Sequence, residues 1–320
     1  MLNNAFIKML MKQITNNILM IKPVAFRYNE QTANNNYYQQ VFDNLSPEQT
    51  QRKALVEFNL FVKMLKDCGV NVIVYEDTKE PDTPDSIFPN NWVSFHAEGI
   101  VGIFPMWAKN RRGERRKEIL DSLIKEYGFK IKEIKDFTDL EKDERYLEGT
   151  GSMVIDRENR ICYAVISIRT DKMAVLQFCD EFSYRPVCFM ANQDVNGERK
   201  AIYHTNVMMC IADKFAVICL DTIDNEDERA YVFRILTETG KDIIEITQDQ
   251  KHRFAGNMLQ VMGDKPYLVM SKSAFTSLTN QQKNAIEEHC PIIKSSLDTI
   301  EACGGGSARC MMAEVFLPKK

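Results

Sequence analysis

NVMMCIADKFAVICLD, residues Asn206 to Asp221, is two apolar runs around the polar pair Asp213–Lys214. Short runs rich in β-branched and aromatic residues on either side of a polar turn read as a β-hairpin. The plan recurs on both sides of this stretch. SMVIDRENRICYAVIS, Ser152 to Ser167, turns at Arg157–Asn159, and SIFPNNWVSFHAEGIVGIFPM, Ser86 to Met106, turns near Ala97–Gly99. NMLQVMGDKPYLVMSKS, Asn257 to Ser273, turns at Gly263–Asp264. Ser152, Asn206, Asn257 and Ala308 stand roughly fifty residues apart, a period that marks repeat architectures.

A fifth copy is divided between the two ends of the chain. LMIKPVAF at Leu19–Phe26 and SARCMMAEVFL at Ser307–Leu317 are single apolar strands that pair only if the termini meet. Their pairing closes a ring and hides the sheet edges. Stretches with three- and four-residue apolar periods fill the gaps, at Pro47–Cys68, Gly113–Tyr127 and Thr279–His289. The expected fold is an α/β propeller of five pseudosymmetric ββαβ repeats. It forms one domain over residues 21–320, because no linker rich in Pro, Gly or Ser divides the units. Residues 1–20 are polar, lack a signal-peptide apolar core and read as a tail. An ordinary α/β sheet with chance regularity is the alternative.

The chain has 320 residues, 44% hydrophobic, with a formal net charge of −4. That balance speaks against a dedicated nucleic-acid binder, which carries a basic excess. The dense basic cluster Arg111, Arg112, Arg115, Arg116 and Lys117 is diluted by Glu114 and Glu118 and reads as a solvated helix face. No apolar run is long enough to span a membrane. The nine cysteines sit mostly in apolar stretches without paired CxxC spacing, so the expectation is a reducing, cytoplasmic setting without structural zinc.

In a ring of such units, the starts of the first strands converge on the axis, and there reactive groups collect: PDSIFPNN, LEGTGS, YHTN, FAGN and GGGSARC. Three glycines precede Cys310 and allow close backbone approach to a ligand. A cysteine beside such a loop is a candidate nucleophile if a base or positive surroundings make it a thiolate; otherwise it is a buried structural thiol. His204 stands before an apolar strand, at the rim, where it either moves protons or bonds to backbone. Glu148 stands in a Gly-rich turn and can hold an imidazole in one tautomer, or simply belong to the turn. GTGS lacks the phosphate-loop pattern. The repeat places cysteine, histidine and acid at one level, which suits a nucleophile, base and orienter.

The landmarks KPVAFRYNEQTANNNYYQ, PDSIFPNNW, FPMWAKNRRGERR, LEGTGSM, SIRTD, YHTNVMM, FAGNML and GGGSARCMMAE together resemble the pentein superfamily of guanidine-modifying enzymes. That superfamily includes arginine deiminase, dimethylarginine hydrolase and amidinotransferases, and the chain looks most like its citrulline-utilisation hydrolase type. The resemblance implies thiolate attack on a central carbon and a covalent intermediate. It implies Cys310 as nucleophile, His204 as acid/base and Glu148 as orienter or holder of a substrate nitrogen. By the same resemblance Asp85, with Asn90 and Asn91 of PNN, binds the polar end of the substrate, and Arg169 holds a carboxylate. Relatives that act on a cationic guanidinium commonly carry acids where this chain has Asn91 and Asn206, so a neutral, citrulline-like ureido substrate is favoured. Arginine and methylarginine stay open, with Asp85 supplying the charge. Many relatives also carry an arginine near Trp107, which this chain lacks by that comparison.

The expected activity is therefore hydrolysis of a non-peptide C–N bond in a ureido or guanidino amino acid. An amidinotransferase on the same scaffold is the alternative within the class. A non-catalytic binding module, like a ribosome-subunit anti-association factor with a similar ring, is the alternative outside it, and lacks a nucleophile set at the axis. No metal or organic cofactor is implied, the partner is a small-molecule substrate, and a homo-oligomer is allowed.

Overall fold

Pro23 has no backbone N–H to donate, and the first strand, Asn17–Lys22, stops just before it. A computed structural model describes residues 12–41 and 45–319, so the first eleven residues of the expected tail lie outside the described residues. The strand begins two residues earlier and ends four residues sooner than the expected Leu19–Phe26. It pairs antiparallel with the short strand Ala313–Glu314, Leu19 opposite Ala313, so the two ends of the chain meet. The expected last strand shrinks to these two residues because Ser307–Met312 turns instead. The strand Asn71–Glu76 joins in parallel register and completes a three-stranded sheet.

The other four units repeat this plan, and the fold is α/β. Hairpins form at the expected turns: Val93–Phe95 with Ile100–Ile103, Val154–Asp156 with Ile161–Val165, Met209–Ile211 with Phe215–Ile218, and Leu259–Met262 with Pro266–Ser271. Each second strand then takes a parallel third strand, Glu133–Asp136, Arg185–Phe189, Asp242–Glu245 and Ile292–Ser295. A parallel return needs a crossover, which helices supply. One is Pro47–Asp67, which starts on a Ser46–Gln49 capping box with proline at its first position. It buries Ala54, Phe58, Phe61 and Leu65 in one core cluster with Ile18, Met20, Val72 and Ile293 of the strands. The helices Lys117–Lys125 and Asn280–Glu287 occupy the other two expected stretches.

Neighbouring sheets touch through their first strands: Ala313–Glu314 with Val93–Phe95, Val154–Asp156 with Met209–Ile211, and Met209–Ile211 with Leu259–Met262. Residues before the first strand knit them further. Gln13 donates from Nε2 to the carbonyls of Ile155 (3.0 Å) and Ile211 (3.3 Å), and its Oε1 accepts from the Arg157 N–H at 2.7 Å. Thr15 accepts from the Met262 N–H through its carbonyl. Gln13 is itself buried, within the stretch expected to be a tail.

A two-stranded hairpin, Asn192–Val195 with Glu198–Ala201, lies outside the five-fold plan. Its tip is Asn196–Gly197, both with positive φ, a pair that is itself the strongest short-range hairpin signal. Among the described residues no helix is long and apolar enough to cross a membrane.

Candidate active site

The helix Asp298–Gly304 ends in Gly305 with φ +61°. A Cβ there would stand 2.4 Å from the Asn36 amide, so only glycine lets the segment carrying Asn36 pack on this turn. Asn36 Nδ2 donates to the Gly304 carbonyl at 3.2 Å. The turn delivers Cys310, buried, to a small cavity that Asp85, Asn91, Arg111, Arg169, Tyr203 and His204 also line. Two side-chain amides donate to its sulfur, Asn257 Nδ2 at 3.2 Å and Asn206 Nδ2 at 3.5 Å.

His204 precedes the short turn Thr205–Val207 in extended backbone. Its Nε2 lies 2.7 Å from Glu148 Oε2. Glu148 Oε1 accepts from the Trp107 N–H at 2.9 Å, and Arg169 Nη1 stands 3.5 Å from Oε2. Burial pushes the Glu148 carboxyl up, but Arg169, the bond to His204 and Arg111 outweigh it and bring it to about 2. Burial pushes the His204 imidazole down to about 4 against the pull of Glu148. At neutral pH the pair is therefore carboxylate and neutral imidazole. A carboxylate only accepts, so Nε2 carries the proton and Nδ1 keeps its lone pair. Gly151 packs against this side of the ring: a Cβ there would stand 2.8 Å from Nδ1 and 2.3 Å from Asn91 Nδ2.

Asp85 is buried and accepts at Oδ2 from Asn29 Nδ2 (2.7 Å) and Thr32 Oγ1 (3.2 Å), while its Oδ1 has no partner. Burial raises its carboxyl, opposed by Arg111 at 3.8 Å. Asn91 does not stand free for a ligand: its Oδ1 accepts from Arg111 Nη1 at 2.8 Å and its Nδ2 donates to Asn90 Oδ1 at 3.2 Å. Asn90, Asn206 and Glu148 lie behind the cavity wall rather than on it. Arg169 directs Nε to Asn35 Oδ1 at 2.7 Å and Nη2 to the Thr32 carbonyl at 3.0 Å, between the rings of Trp107 and Tyr203.

One sequence expectation needs correction. Arg111 and Glu114 are not on a solvated helix face; both are buried and meet in a two-point ion pair at 2.7 and 2.9 Å. The segment Lys109–Glu114 is a tight 3-10 stretch, and the α-helix begins only at Lys117, so Arg111 turns into the cavity. Arg115 and Arg112 pair with Glu141, and Arg116 with Asp77. Two arginines stand near Trp107 in the fold. Arg111 follows it in the cavity wall, and the Arg169 guanidinium lies 5.7 Å from the Trp107 ring. Asn257 is a further residue that the repeat alone did not single out. Its signal was an asparagine at the start of a first strand, as at Asn91 and Asn206.

The family model described as "N,N dimethylarginine dimethylhydrolase, eukaryotic" matches residues 22–317. No protein of curated function matches in sequence. Among solved structures, unliganded ArgZ, an arginine dihydrolase from the ornithine–ammonia cycle in Cyanobacteria, has a TM-score of 0.69 at 19% identity. That likeness covers 95% of this chain and 41% of ArgZ, so the chain spans about two fifths of its length. The isolated N-terminal domain of ArgZ, covalently bound to a reaction intermediate, is similar at TM-score 0.69 and 19% identity, over 94% of this chain and 99% of the domain. A dimethylarginine dimethylaminohydrolase with an S-methyl-L-thiocitrulline adduct has a TM-score of 0.59 at 13% identity, over 94% of this chain and 100% of that one.

Proposed function

The chain belongs to the dimethylarginine dimethylhydrolase family of the pentein superfamily, and from that footing we propose that it hydrolyses a C–N bond of a guanidino or ureido amino acid through a covalent cysteine adduct. The observation that carries this reading is the 2.7 Å His204–Glu148 bond, which leaves Nδ1 lone-paired on an imidazole that lines the same cavity as Cys310. The similar proteins that act on arginine and dimethylarginine support it.

In this reading the Cys310 thiolate attacks the central carbon. His204 Nδ1 takes a proton from one nitrogen of the tetrahedral adduct and hands it to the departing amine, so the amine leaves neutral and the imidazole is neutral again. Water, deprotonated at His204 Nδ1, then attacks the thioester-like or thiouronium adduct and returns the thiolate. Glu148 keeps the imidazole in one tautomer. Asp85 Oδ1, buried and without a partner, accepts a substrate N–H. A substrate carboxylate at Arg169 shares Nη1 with Glu148 Oε2, 3.5 Å away, because Nε and Nη2 are held by Asn35 and Thr32.

The asparagines favour a neutral, citrulline-like substrate less than the sequence alone suggests, because Asn91 is engaged by Arg111. Asp85 argues the other way: a carboxyl that burial alone resists charging is stabilised by an incoming cation. We therefore read a guanidino amino acid as the substrate, with citrulline as the second reading because Asn91 and Asn206 carry no charge. The deciding experiment is turnover of arginine, methylarginines, agmatine and citrulline with ammonia, alkylamines, citrulline and ornithine all measured. Citrulline turning over faster than every guanidine reverses the preference. Product formation only when glycine is added assigns the transferase instead. Full turnover by C310S removes the covalent mechanism, and no turnover of any of these compounds by the wild type leaves the binding module.

We also read the five sheets as blades of one closed α/β propeller of ββαβ repeats, a single domain through the described residues. The pairing of Leu19 with Ala313 and the contacts between first strands support this.

A further inference from the structure

Asn257 uses every hydrogen-bonding valence it has. Its Oδ1 accepts from the backbone N–H groups of Arg309 (3.1 Å) and Cys310 (3.4 Å). Its Nδ2 donates to the Asn206 carbonyl at 2.9 Å and to Cys310 Sγ at 3.2 Å. The amide orientation is thereby fixed. Two N–H donors demand the oxygen on one side, and a carbonyl acceptor demands the nitrogen on the other. An N–H of Asn257 points at the sulfur whatever the sulfur's protonation state. Asn206, in the equivalent place one unit earlier, adds its Nδ2 at 3.5 Å. Both asparagines are buried, so water does not replace either donor.

A thiol accepts hydrogen bonds weakly and a thiolate strongly, so fixed donors on sulfur favour the anion. From this geometry we propose that Asn257, seconded by Asn206, forms an amide cradle that holds the Cys310 sulfur as thiolate. The carbonyl of Asn257 meanwhile clamps the backbone of the turn that presents it. The proposal rests on the reading of Cys310 as nucleophile and assigns a catalytic role to a residue of the fifth unit. It also explains how the sulfur is activated while His204 stays neutral, so that the imidazole is free to serve the leaving amine and then water.

Asn257→Asp separates the two roles of this side chain. Aspartate keeps an oxygen for the two backbone N–H groups but cannot donate, and it sets a second oxygen against the sulfur and the Asn206 carbonyl. Folding is checked by circular dichroism and melting, and the rate of iodoacetamide alkylation at Cys310 is followed by peptide mapping across pH. The expected result at neutral pH is a fall of about tenfold or more, the weight of a hydrogen bond to a charged group. The deficit should close as the pH rises and the thiol ionises unaided. Because the new carboxylate also repels a thiolate, N206A, which removes a donor without adding a charge, is measured beside it, and wild-type rate and pH profile in N206A overturn the proposal. Should N257D not fold, N206A decides by the same measurement. A severalfold loss that closes at high pH supports the cradle, and wild-type behaviour overturns it. The nucleophile reading fails separately, on full substrate turnover by C310S, an outcome that the alkylation profiles do not touch.

Discussion

His204 and Glu148 meet through Nε2 and Oε2 at 2.7 Å with both side chains out of solvent, and the other imidazole nitrogen is left as the base. Replacing Glu148 by Gln keeps the volume but removes the ionised acceptor that fixes the tautomer. E148Q is expected to lose about 10²–10⁴-fold in kcat, the range of a mispositioned general base. Steady-state kinetics on the best substrate check this. A loss confined to KM assigns Glu148 to substrate binding instead.

The same pair sets a pH dependence of stability. His204 is pushed from an ordinary 6.5 down to about 4, and Glu148 from 4.5 down to about 2. In both cases the unfolded chain binds the proton more readily, so stability rises with pH through each window. The His204 contribution is complete above pH 6.5 and is lost as the pH falls through 4. The Glu148 contribution goes between 4.5 and 2. A shift of this size corresponds to roughly 3 kcal/mol for His204. Urea midpoints measured from pH 7 to 4 should fall in the wild type and flatten in H204Q between 6.5 and 4.5. Parallel curves for the two proteins defeat the assignment.

The sequence made the hairpins legible because each apolar run is short, strand-like and stopped by a turn. The meeting of the termini followed from one unit being divided, and Leu19 opposite Ala313 is that division repaired. Cys310 and His204 share a cavity because they precede equivalent strands. Arg111 was not legible. An Arg and a Glu three apart read the same on an exposed helix as in a buried two-point pair, and only the 3-10 turn distinguishes them. The segment from Asn29 to Gln40 was hidden for another reason. It is polar and irregular, and its partners stand far off in the chain: Asp85 is 56 residues from Asn29, and Gly304 is 268 from Asn36.

That segment closes one side of the cavity. Asn29 holds Asp85, Asn35 takes the Arg169 Nε–H, Asn36 holds Gly304, and Gln39 Nε2 donates to the Cys303 carbonyl at 2.9 Å. The prediction is that a substrate enters past it, with opening before binding. Asn36→Ala removes the bond to Gly304 and the contact at Gly305 while leaving Cys310 and His204 in place. Alkylation of Cys310 should then speed up severalfold and KM should rise, with a smaller change in kcat. Unchanged alkylation places the entry route elsewhere.

Arg111 supplies the charge that makes the buried acids tolerable. It meets Glu114 at two points, lies 3.8 Å from Asp85 and 4.0 Å from Glu148, and bonds Asn91. Arg111→Met keeps much of the volume but strands Glu114 without its partner. Removing one member of a buried pair costs about 3–5 kcal/mol, most of it the penalty of the uncompensated charge. The double variant R111M/E114L removes both charges and should regain much of that loss in urea unfolding, a coupling that independent sites do not show. Its activity should nevertheless stay low, because Asn91 and Asp85 have lost the guanidinium that positions them. Full activity in a refolded double variant confines Arg111 to structural support, whereas additive losses in stability break the pairing argument itself.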